Sequence, residues 1–414
     1  MKKVFMIAFL AFMAVCLAAC GGKDVDMNTG NNGARTGING VYSGQGSGGE
    51  DGYYYIKNDD SVYNIMYIDY ATGKEIYLCG RPECSHDDES CTSFIRFYGA
   101  SVTPRVYGDK LYLICNGYSA GDFYDEYGRR ALTHIDVRRL SGRDRETFLS
   151  MGNGAEICGE PVVDKDKMWL VTAYARKDEV GEVFYDEYME SYSLSTGEKL
   201  SRTEISIPMP EIVGYDENVI YIQSISFSLS DISRAIRTLY RYDTDSGRLK
   251  EVYRYSRYTP VQYRGGYGYY VDNDTASIGC INLADGGVTV LARGLWEEGR
   301  DCFIRRITRE GILLEDSTDN DNIWKRFLSF SDGRLYEIKL PVKLQDKETL
   351  TAPDIMAETE KDYLVMTGYD YLPKTSFAPD GSAYETFELA EQYAMISKYD
   401  YIMSRQNYRA IENG

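Results

Sequence analysis

Short runs of alternating apolar and polar residues, broken by Gly, Asp and Asn, fill almost all of the chain after residue 52. An alternation with a period of two places apolar side chains on one face of a β-strand. Helical periodicity is nearly absent from the same region. The pattern therefore predicts an all-β protein.

Two half-repeats alternate along this region. The first half has a short apolar segment, a polar turn and an apolar strand with a large side chain. It begins at Val106, Val162, Ile212, Val261, Ile304 and Ile355, with a weaker first copy over 41–56. The second half has an apolar strand, a Gly turn and another strand. It begins at Ile65, Leu132, Glu190, Thr238, Ile278 and Phe327, with a degenerate last copy from Ala394.

The strict alternation of the halves gives seven units, each with four strands that we name A to D. One four-stranded blade leaves two apolar faces uncovered, and stacking blades around an axis buries both faces. We therefore predict a β-propeller of seven four-stranded blades. Six or eight blades are alternatives because the first and last units are irregular, and a large β-sandwich with similar strand spacing is another.

Strand direction places the B-to-C and D-to-A connections on one face of such a propeller. The C-to-D connections are short Gly turns, whereas long segments fall in four B-to-C connections, at 116–130, 173–188, 224–237 and 368–391. Long loops on one face of a rigid scaffold are where binding usually occurs. We therefore expect this face to be the contact surface.

Two of these segments carry the same pentapeptide. The copies are Phe123-Tyr124-Asp125-Glu126-Tyr127 and Phe184-Tyr185-Asp186-Glu187-Tyr188. Aromatic rings beside carboxylates suit stacking on sugars or holding a cationic peptide. Packing within the loops is the alternative for such a Tyr-rich chain.

The N-terminus has the pattern of a targeting segment. Lys2 and Lys3 precede an apolar run over 4–17, which is too short to span a bilayer. The following Leu17-Ala18-Ala19-Cys20 resembles the bacterial lipobox, which implies cleavage before Cys20 and acylation of its thiol. An ordinary secretory cleavage site is the alternative.

Three regions follow from these observations. Residues 1–19 are expected to be a lipoprotein signal peptide, and 20–51 a lipid-bearing cysteine with a flexible Gly/Asn/Ser-rich tether. Residues 52–414 are expected to form the propeller domain. The protein should then be held by lipid at Cys20 on the extracytoplasmic face of the bacterial membrane.

Charge and residue content exclude several classes of function. The formal net charge is −18, which disfavours nucleic acid as a partner. The chain has only two histidines, so there are few candidates for the general base of a Ser-His or Cys-His catalytic pair. No phosphate-cradling glycine motif or dinucleotide fingerprint is present.

The second half-repeat, with its Tyr-x-x-Asp-x-x-x-Gly character, resembles propellers related to those of low-density-lipoprotein receptor-like proteins in bacterial lipoproteins. The run LCGRPECSHDDESC over 78–91 is similar to one in uncharacterised propeller lipoproteins of anaerobic bacteria. The resemblance implies a fold and a location. It implies no activity and assigns no functional residue.

A cysteine cluster follows the first unit, in what we expect to be its D-to-A connection. Cys79, Cys84, His86 and Cys91 have the residue types of a tetrahedral zinc site. A disulfide between Cys84 and Cys91 is the usual expectation outside the cytoplasm. Free thiols are the third possibility, since without Cys16 and the acylated Cys20 an odd number of cysteines remains.

A further acidic run offers hard oxygen ligands. It covers 316–321 and includes Asp316, Asp319 and Asp321. Such oxygens suit calcium, but the run lacks EF-hand spacing, and a solvated turn is the alternative.

Two functional hypotheses follow. The first is a cell-envelope binding module for a glycan, a peptide or an envelope protein. The second is a carbohydrate-active enzyme with two carboxylates at the central opening of the propeller, as glycoside hydrolysis requires. The first is favoured, since no motif identifies a catalytic residue.

Overall fold

The computed structural model describes residues 46–59, 62–97, 99–117, 132–179, 183–228, 231–256, 261–297, 300, 302–316, 324–344, 347–377 and 382–413. Within them the chain forms consecutive antiparallel four-stranded meanders, as the repeat pattern predicts. The first two meanders consist of β1 (Ser47–Gly48), β2 (Gly52–Asp59), β3 (Val62–Asp69), β4 (Lys74–Tyr77) with β5 (Phe94–Arg96), and β6 (Ser101–Tyr107), β7 (Lys110–Asn116), β8 (His134–Arg139), β9 (Glu146–Ser150).

The next four meanders repeat the same order. They are β10 (Ala155–Asp164), β11 (Lys167–Lys177), β12 (Val183–Ser193), β13 (Lys199–Glu204); β14 (Glu211–Asp216), β15 (Val219–Ser228), β16 (Asp231–Asp243), β17 (Leu249–Ser256); β18 (Gln262–Arg264), β19 (Tyr267–Asp272), β20 (Ser277–Asn282), β21 (Val288–Ala292); and β22 (Cys302–Ile307), β23 (Gly311–Asp316), β24 (Lys325–Ser329), β25 (Leu335–Glu337).

The last meander follows an inserted hairpin and contains a short helix. The hairpin is β26 (Leu340–Leu344) and β27 (Lys347–Thr351), and the meander is β28 (Asp354–Glu358), β29 (Asp362–Phe377), β30 (Ala383–Ser397), α1 (Lys398–Ile402) and β31 (Arg409–Ala410). The final strand, β32 (Glu412–Asn413), pairs in parallel with β4 of the first meander. The end of the chain therefore joins the last blade to the first.

Apolar clusters between consecutive meanders show that these are propeller blades. Blades 1 and 2 share a cluster that includes Ile65 and Leu113. Blades 7 and 1 share another, which includes Leu364 and Met66. The innermost strand β1 contacts both β6 and β28, so the ring closes. The fold is an all-β propeller of seven blades, as predicted.

The C-to-D turns contain the glycines that the repeats predicted. Each of the first six blades has a glycine with positive φ there: Gly73, Gly142, Gly197, Gly247, Gly286 and Gly333. Glycine adopts this conformation without the steric cost of a Cβ atom. These turns therefore define the face opposite the B-to-C connections.

The first blade begins slightly before residue 52, the boundary that composition indicated. Ser47 and Gly48 pair with Tyr54 and Tyr53 and provide strand A of blade 1. Within the described residues, no helix has the length and apolar character needed to cross a membrane.

Candidate functional site

The cysteine cluster lies at the outer rim of blade 1. Strands β4 and β5 both pair with β3, so together they form one interrupted strand D. Residues 78–93, which we call the rim excursion, leave the sheet between them. Its two ends are held together, because the Leu78 N–H donates to the Ile65 carbonyl at 2.8 Å and the Ile65 N–H donates to the Ser93 carbonyl at 2.9 Å. The predicted position in the D-to-A connection was therefore wrong, since that connection follows β5.

The four predicted ligands converge within the rim excursion. One ligand atom each from Cys79, Cys84, His86 and Cys91 lies within 4.8 Å of all the others. The His86 ring stacks on Tyr77 with centroids 4.1 Å apart, and its Nδ1 lies 3.2 Å from the Cys91 Sγ. In a tetrahedral zinc site with Zn–S bonds of about 2.3 Å, sulfur atoms are separated by about 3.8 Å. The arrangement therefore fits a single metal ion.

Two arginines stand beside the cluster, of which Arg81 is exposed. Its Nη2 lies 2.9 Å from the Cys84 Sγ and 3.1 Å from the Ser90 Oγ. Burial alone would raise the pKa of the Cys79 thiol, but hydrogen bonds with Arg81, and next with Cys91 and Cys84, lower it to about 6. Burial raises the pKa of the Cys84 thiol.

The other arginine is Arg138 on β8 of blade 2, whose side chain is 1% exposed. Its Nη1 donates to the Thr92 carbonyl in the rim excursion. Its Nε and Nη2 are buried and have no hydrogen-bond partner among the described residues. Burial is the main cause that lowers the pKa of Arg138 to about 10, and the positive charge of Arg145 is the second cause. Cys91 is one of the groups that oppose this shift. Sequence reasoning missed Arg138, although an arginine within an apolar strand was a signal.

Three B-to-C connections are hairpin arms. The strand pairs β11–β12, β15–β16 and β29–β30 continue beyond their blades as far as Lys177 and Val183, Ser228 and Asp231, and Phe377 and Ala383. Loops were expected over 173–188, 224–237 and 368–391, and this expectation is corrected to paired strands. The fourth connection, 116–130, lies largely outside the described residues.

The second pentapeptide lies on the arm of blade 3. The Asp186 Oδ1 is 2.8 Å from the Nε of Arg176, whose guanidinium is 5.3 Å from the Phe184 ring. The guanidinium of Arg202 lies 3.6 Å from the centroid of the Tyr188 ring. Three side chains of the second pentapeptide, those of Phe184, Asp186 and Tyr188, thus each contact an arginine.

The remaining predicted residues are placed as follows. Tyr185 and Glu187 are partly exposed on β12, and burial raises the pKa of Glu187. The first pentapeptide, with Tyr124, Asp125, Glu126 and Tyr127, and residues 317–321 of the acidic run lie outside the described residues. Asp316 is buried and forms an ion pair with Arg300.

Six of the eighteen large apolar side chains that are exposed among the described residues lie on the arms. They are Val183, Phe184, Ile236, Tyr371, Leu372 and Phe387, with exposed fractions from 37% to 66%. On the arm of blade 7, the Tyr371 ring lies 5.6 Å from Tyr369 and 6.4 Å from Phe387. The arms thus present rings and aliphatic groups to solvent.

A cleft of about 630 Å³ lies where blade 7 meets blade 1, and we call it the seam cleft. Glu75 of β4 and Glu391 of β30 line it, and each accepts a hydrogen bond from a tyrosine hydroxyl, Tyr55 and Tyr393 respectively. Burial is the main cause that raises the pKa of both glutamates. Sequence reasoning missed this pair, because the two residues come from opposite ends of the domain.

Comparisons with known proteins identify no family. No family model matches the chain, and no curated protein does. Among solved structures, an acylaminoacyl peptidase from Pyrococcus horikoshii matches with a TM-score of 0.49 and 12% identity, covering 88% of this chain and 50% of that one. BamB from Moraxella catarrhalis matches with a TM-score of 0.39 and 11% identity, covering 82% of each chain. A nidogen/laminin complex matches with a TM-score of 0.31 and 13% identity, covering 58% of this chain and 74% of that one.

The chain spans about half the length of the acylaminoacyl peptidases it matches, with 56% and 50% of those chains covered. None of these three matches is named as a low-density-lipoprotein receptor-like lipoprotein. At these identities, the activities of the neighbours say nothing about this chain.

Proposed function

We propose that this protein is a lipoprotein of the bacterial cell envelope, anchored at Cys20, whose propeller binds a peptide or partner protein through the arms. The single observation that carries the binding function is the pair of exposed aromatic rings on the arm of blade 7, where Tyr371 and Phe387 lie 6.4 Å apart. Scattered apolar residues are normal on protein surfaces, whereas grouped ones are typical of interaction sites.

The geometry of the arms supports this function. Strands in backbone pairing lose less conformational freedom on binding than a loop does, so less binding energy is lost in ordering them. Tyr371 and Phe387 combine a large apolar surface with few rotatable bonds, as many interface hot spots do. The arms extend from a closed ring of blades that holds their bases.

The negative charge of the chain indicates which kind of partner the arms would bind. The chain carries a net charge of −18, and Glu179 and Glu385 are exposed carboxylates on two of the arms. A partner with basic side chains beside apolar ones would complement both features. We therefore propose a basic, partly apolar segment of an envelope protein as the ligand.

Phe387→Ala or Tyr371→Ala should weaken binding of a selected peptide about tenfold or more, as for hot spots. A peptide-display library and a glycan array would be screened against the chain carrying Cys20→Ser, and affinities of the hits measured by calorimetry. Both variants should leave the melting temperature nearly unchanged, because exposed substitutions cost little stability.

Leu200→Ala is the matched control, since Leu200 is 51% exposed but lies on the outer strand β13. It should leave binding unchanged. Equal affinities of arm and control variants would contradict the proposal. If the protein bound only glycans, its ligand would be a sugar and not a peptide.

One observation favours a carbohydrate-active enzyme as a second function. Burial raises the pKa of both glutamates of the seam cleft, which is the direction of shift that a general acid for glycoside cleavage needs. The cleft has the volume of a ligand pocket. It lies between blades 7 and 1, whereas the sequence hypothesis placed such a pair at the central opening.

Glu391→Gln should then lower reducing-sugar release from envelope polysaccharides about 100-fold or more, as loss of a general acid does. Glu348→Gln is the control, because Glu348 lines the same cleft but is exposed. Absence of sugar release by the wild-type protein would reject this second function and leave the binding function intact.

A further inference from the structure

We propose that Cys79, Cys84, His86 and Cys91 bind one structural Zn²⁺ ion that closes the rim excursion. The proposal goes beyond the binding function and does not depend on it. Its basis is the convergence of four ligand atoms, one from each residue, within 4.8 Å.

The geometry favours a metal over a disulfide. A disulfide between Cys84 and Cys91 would use two of the converging groups and leave the positions of Cys79 and His86 unexplained. The backbone of His86 has φ of 60°, a left-handed conformation that is uncommon outside glycine. Stacking on Tyr77 then holds the ring with Nδ1 facing the Cys91 Sγ. A metal ion uses all four groups.

The rim excursion has almost no core of its own. Residues 80–83, 85 and 87–90 are exposed, and the segment contains no helix or strand. Ordering the backbone costs conformational entropy at every residue, and little apolar burial offsets that cost here. Zinc supplies such stabilisation in small segments that lack a core.

Charge gives an independent argument. Zn²⁺ with three thiolates and a neutral imidazole has a net charge of −1. The buried guanidinium of Arg138 reaches the excursion at Thr92 and still has Nε and Nη2 without partners among the described residues. Its neighbour Asp136 already accepts hydrogen bonds from Arg145 and Thr147. An anionic metal centre would compensate the buried cation, which is costly to leave unpaired.

The ligand types select zinc among common metals. Thiolates with one imidazole favour Zn²⁺ over calcium or magnesium, which prefer oxygen. Four residues separate Cys79 from Cys84, a spacing found in structural zinc sites. With four protein ligands the site is closed, so its role is structural.

Metal analysis of the purified full-length protein tests the proposal. The wild type should contain about one zinc per chain, and Cys84→Ser should retain less than a tenth of it. Cys84 is partly exposed and so should be replaceable without unfolding the blade. Cys280→Ser, which changes a buried thiol on β20, is the matched control and should keep its zinc.

Arg138→Met should weaken zinc affinity about tenfold or more, as loss of a group next to the ligands typically does. Competition with a chromophoric chelator measures this affinity. Chelation of the wild type should also speed cleavage by a Glu-specific protease at Glu83 and Glu89 at least tenfold, and added zinc should reverse the effect.

Two results would overturn the proposal. One is zinc at the wild-type level in both Cys84→Ser and His86→Ala. The other is metal-free protein in which Cys84 and Cys91 resist alkylation until a reductant is added, which would establish the disulfide.

Discussion

Replacing Asp354 by Ala should lower the free energy of unfolding by about 3–5 kcal/mol, the usual cost of removing one partner from a buried ion pair. Asp354 begins the innermost strand of blade 7 and is 8% exposed. Its carboxylate lies 2.7 Å from the Lys325 Nζ and 2.8 Å from the Arg305 Nη2, both on blade 6. The substitution would remove this carboxylate from the buried Lys325 and the partly buried Arg305, which also pair with Glu315.

Asp370→Ala is the matched control, because Asp370 pairs with Lys343 in a more exposed position. Exposed pairs contribute about 0–1 kcal/mol. Chemical denaturation followed by tyrosine and tryptophan fluorescence would measure both variants. A loss below about 1 kcal/mol for Asp354→Ala would show that the ion cluster does not hold blades 6 and 7 together.

The same cluster predicts a dependence on pH. Burial alone would raise the pKa of Asp354, but Lys325 and Arg305 together hold it well below its usual range. A depressed carboxyl pKa stabilises the fold above the unfolded pKa of about 3.9, and the stabilisation is lost as the pH falls toward the folded value. The wild type should therefore lose stability below about pH 4 more steeply than Asp354→Ala.

The blades were predictable because their signals are local. A polar turn between strands A and B and a glycine between C and D recur within each unit, and each type of turn restricts its own backbone. The structure places Val106 and Ile278 on the strands where the half-repeats begin. Apolar alternation then shows which strand faces must be buried.

The hairpin arms were not predictable from the same pattern. Arm residues are partly exposed on β12, so no apolar alternation distinguishes a paired strand from a loop there. Their pairing depends on backbone hydrogen bonds, which leave little trace in side-chain polarity. The pentapeptide at 184–188 was therefore assigned to a loop.

The rim excursion and the seam cleft depend on contacts between distant residues. Strand β5 has only three residues, and pairing it with β3 requires chain closure across the whole excursion. The sequence indicated the four candidate ligands, but not that Arg138 of the next blade lies beside them. Likewise, only ring closure brings Glu75 close to Glu391.

Cys20→Ala should move the protein almost completely from the membrane fraction to the soluble or secreted fraction. Two or three acyl chains, each contributing about 0.8 kcal/mol per buried CH₂ group, provide stable anchoring, whereas one chain binds only reversibly. Without them, a chain with a net charge of −18 is repelled by anionic headgroups. Fractionation and incorporation of labelled palmitate would measure the change.

Cys16→Ala is the matched control, because Cys16 lies in the apolar run before the proposed cleavage site. It should leave both the membrane fraction and the palmitate label unchanged. If Cys20→Ala also stays in the membrane fraction, the lipid anchor at Cys20 is wrong. The arms and the Cys84 metal site would still be testable in that case, since neither depends on the lipid. Loss of the palmitate label in both Cys16→Ala and Cys20→Ala would indicate that acylation depends on the apolar run as well as on Cys20.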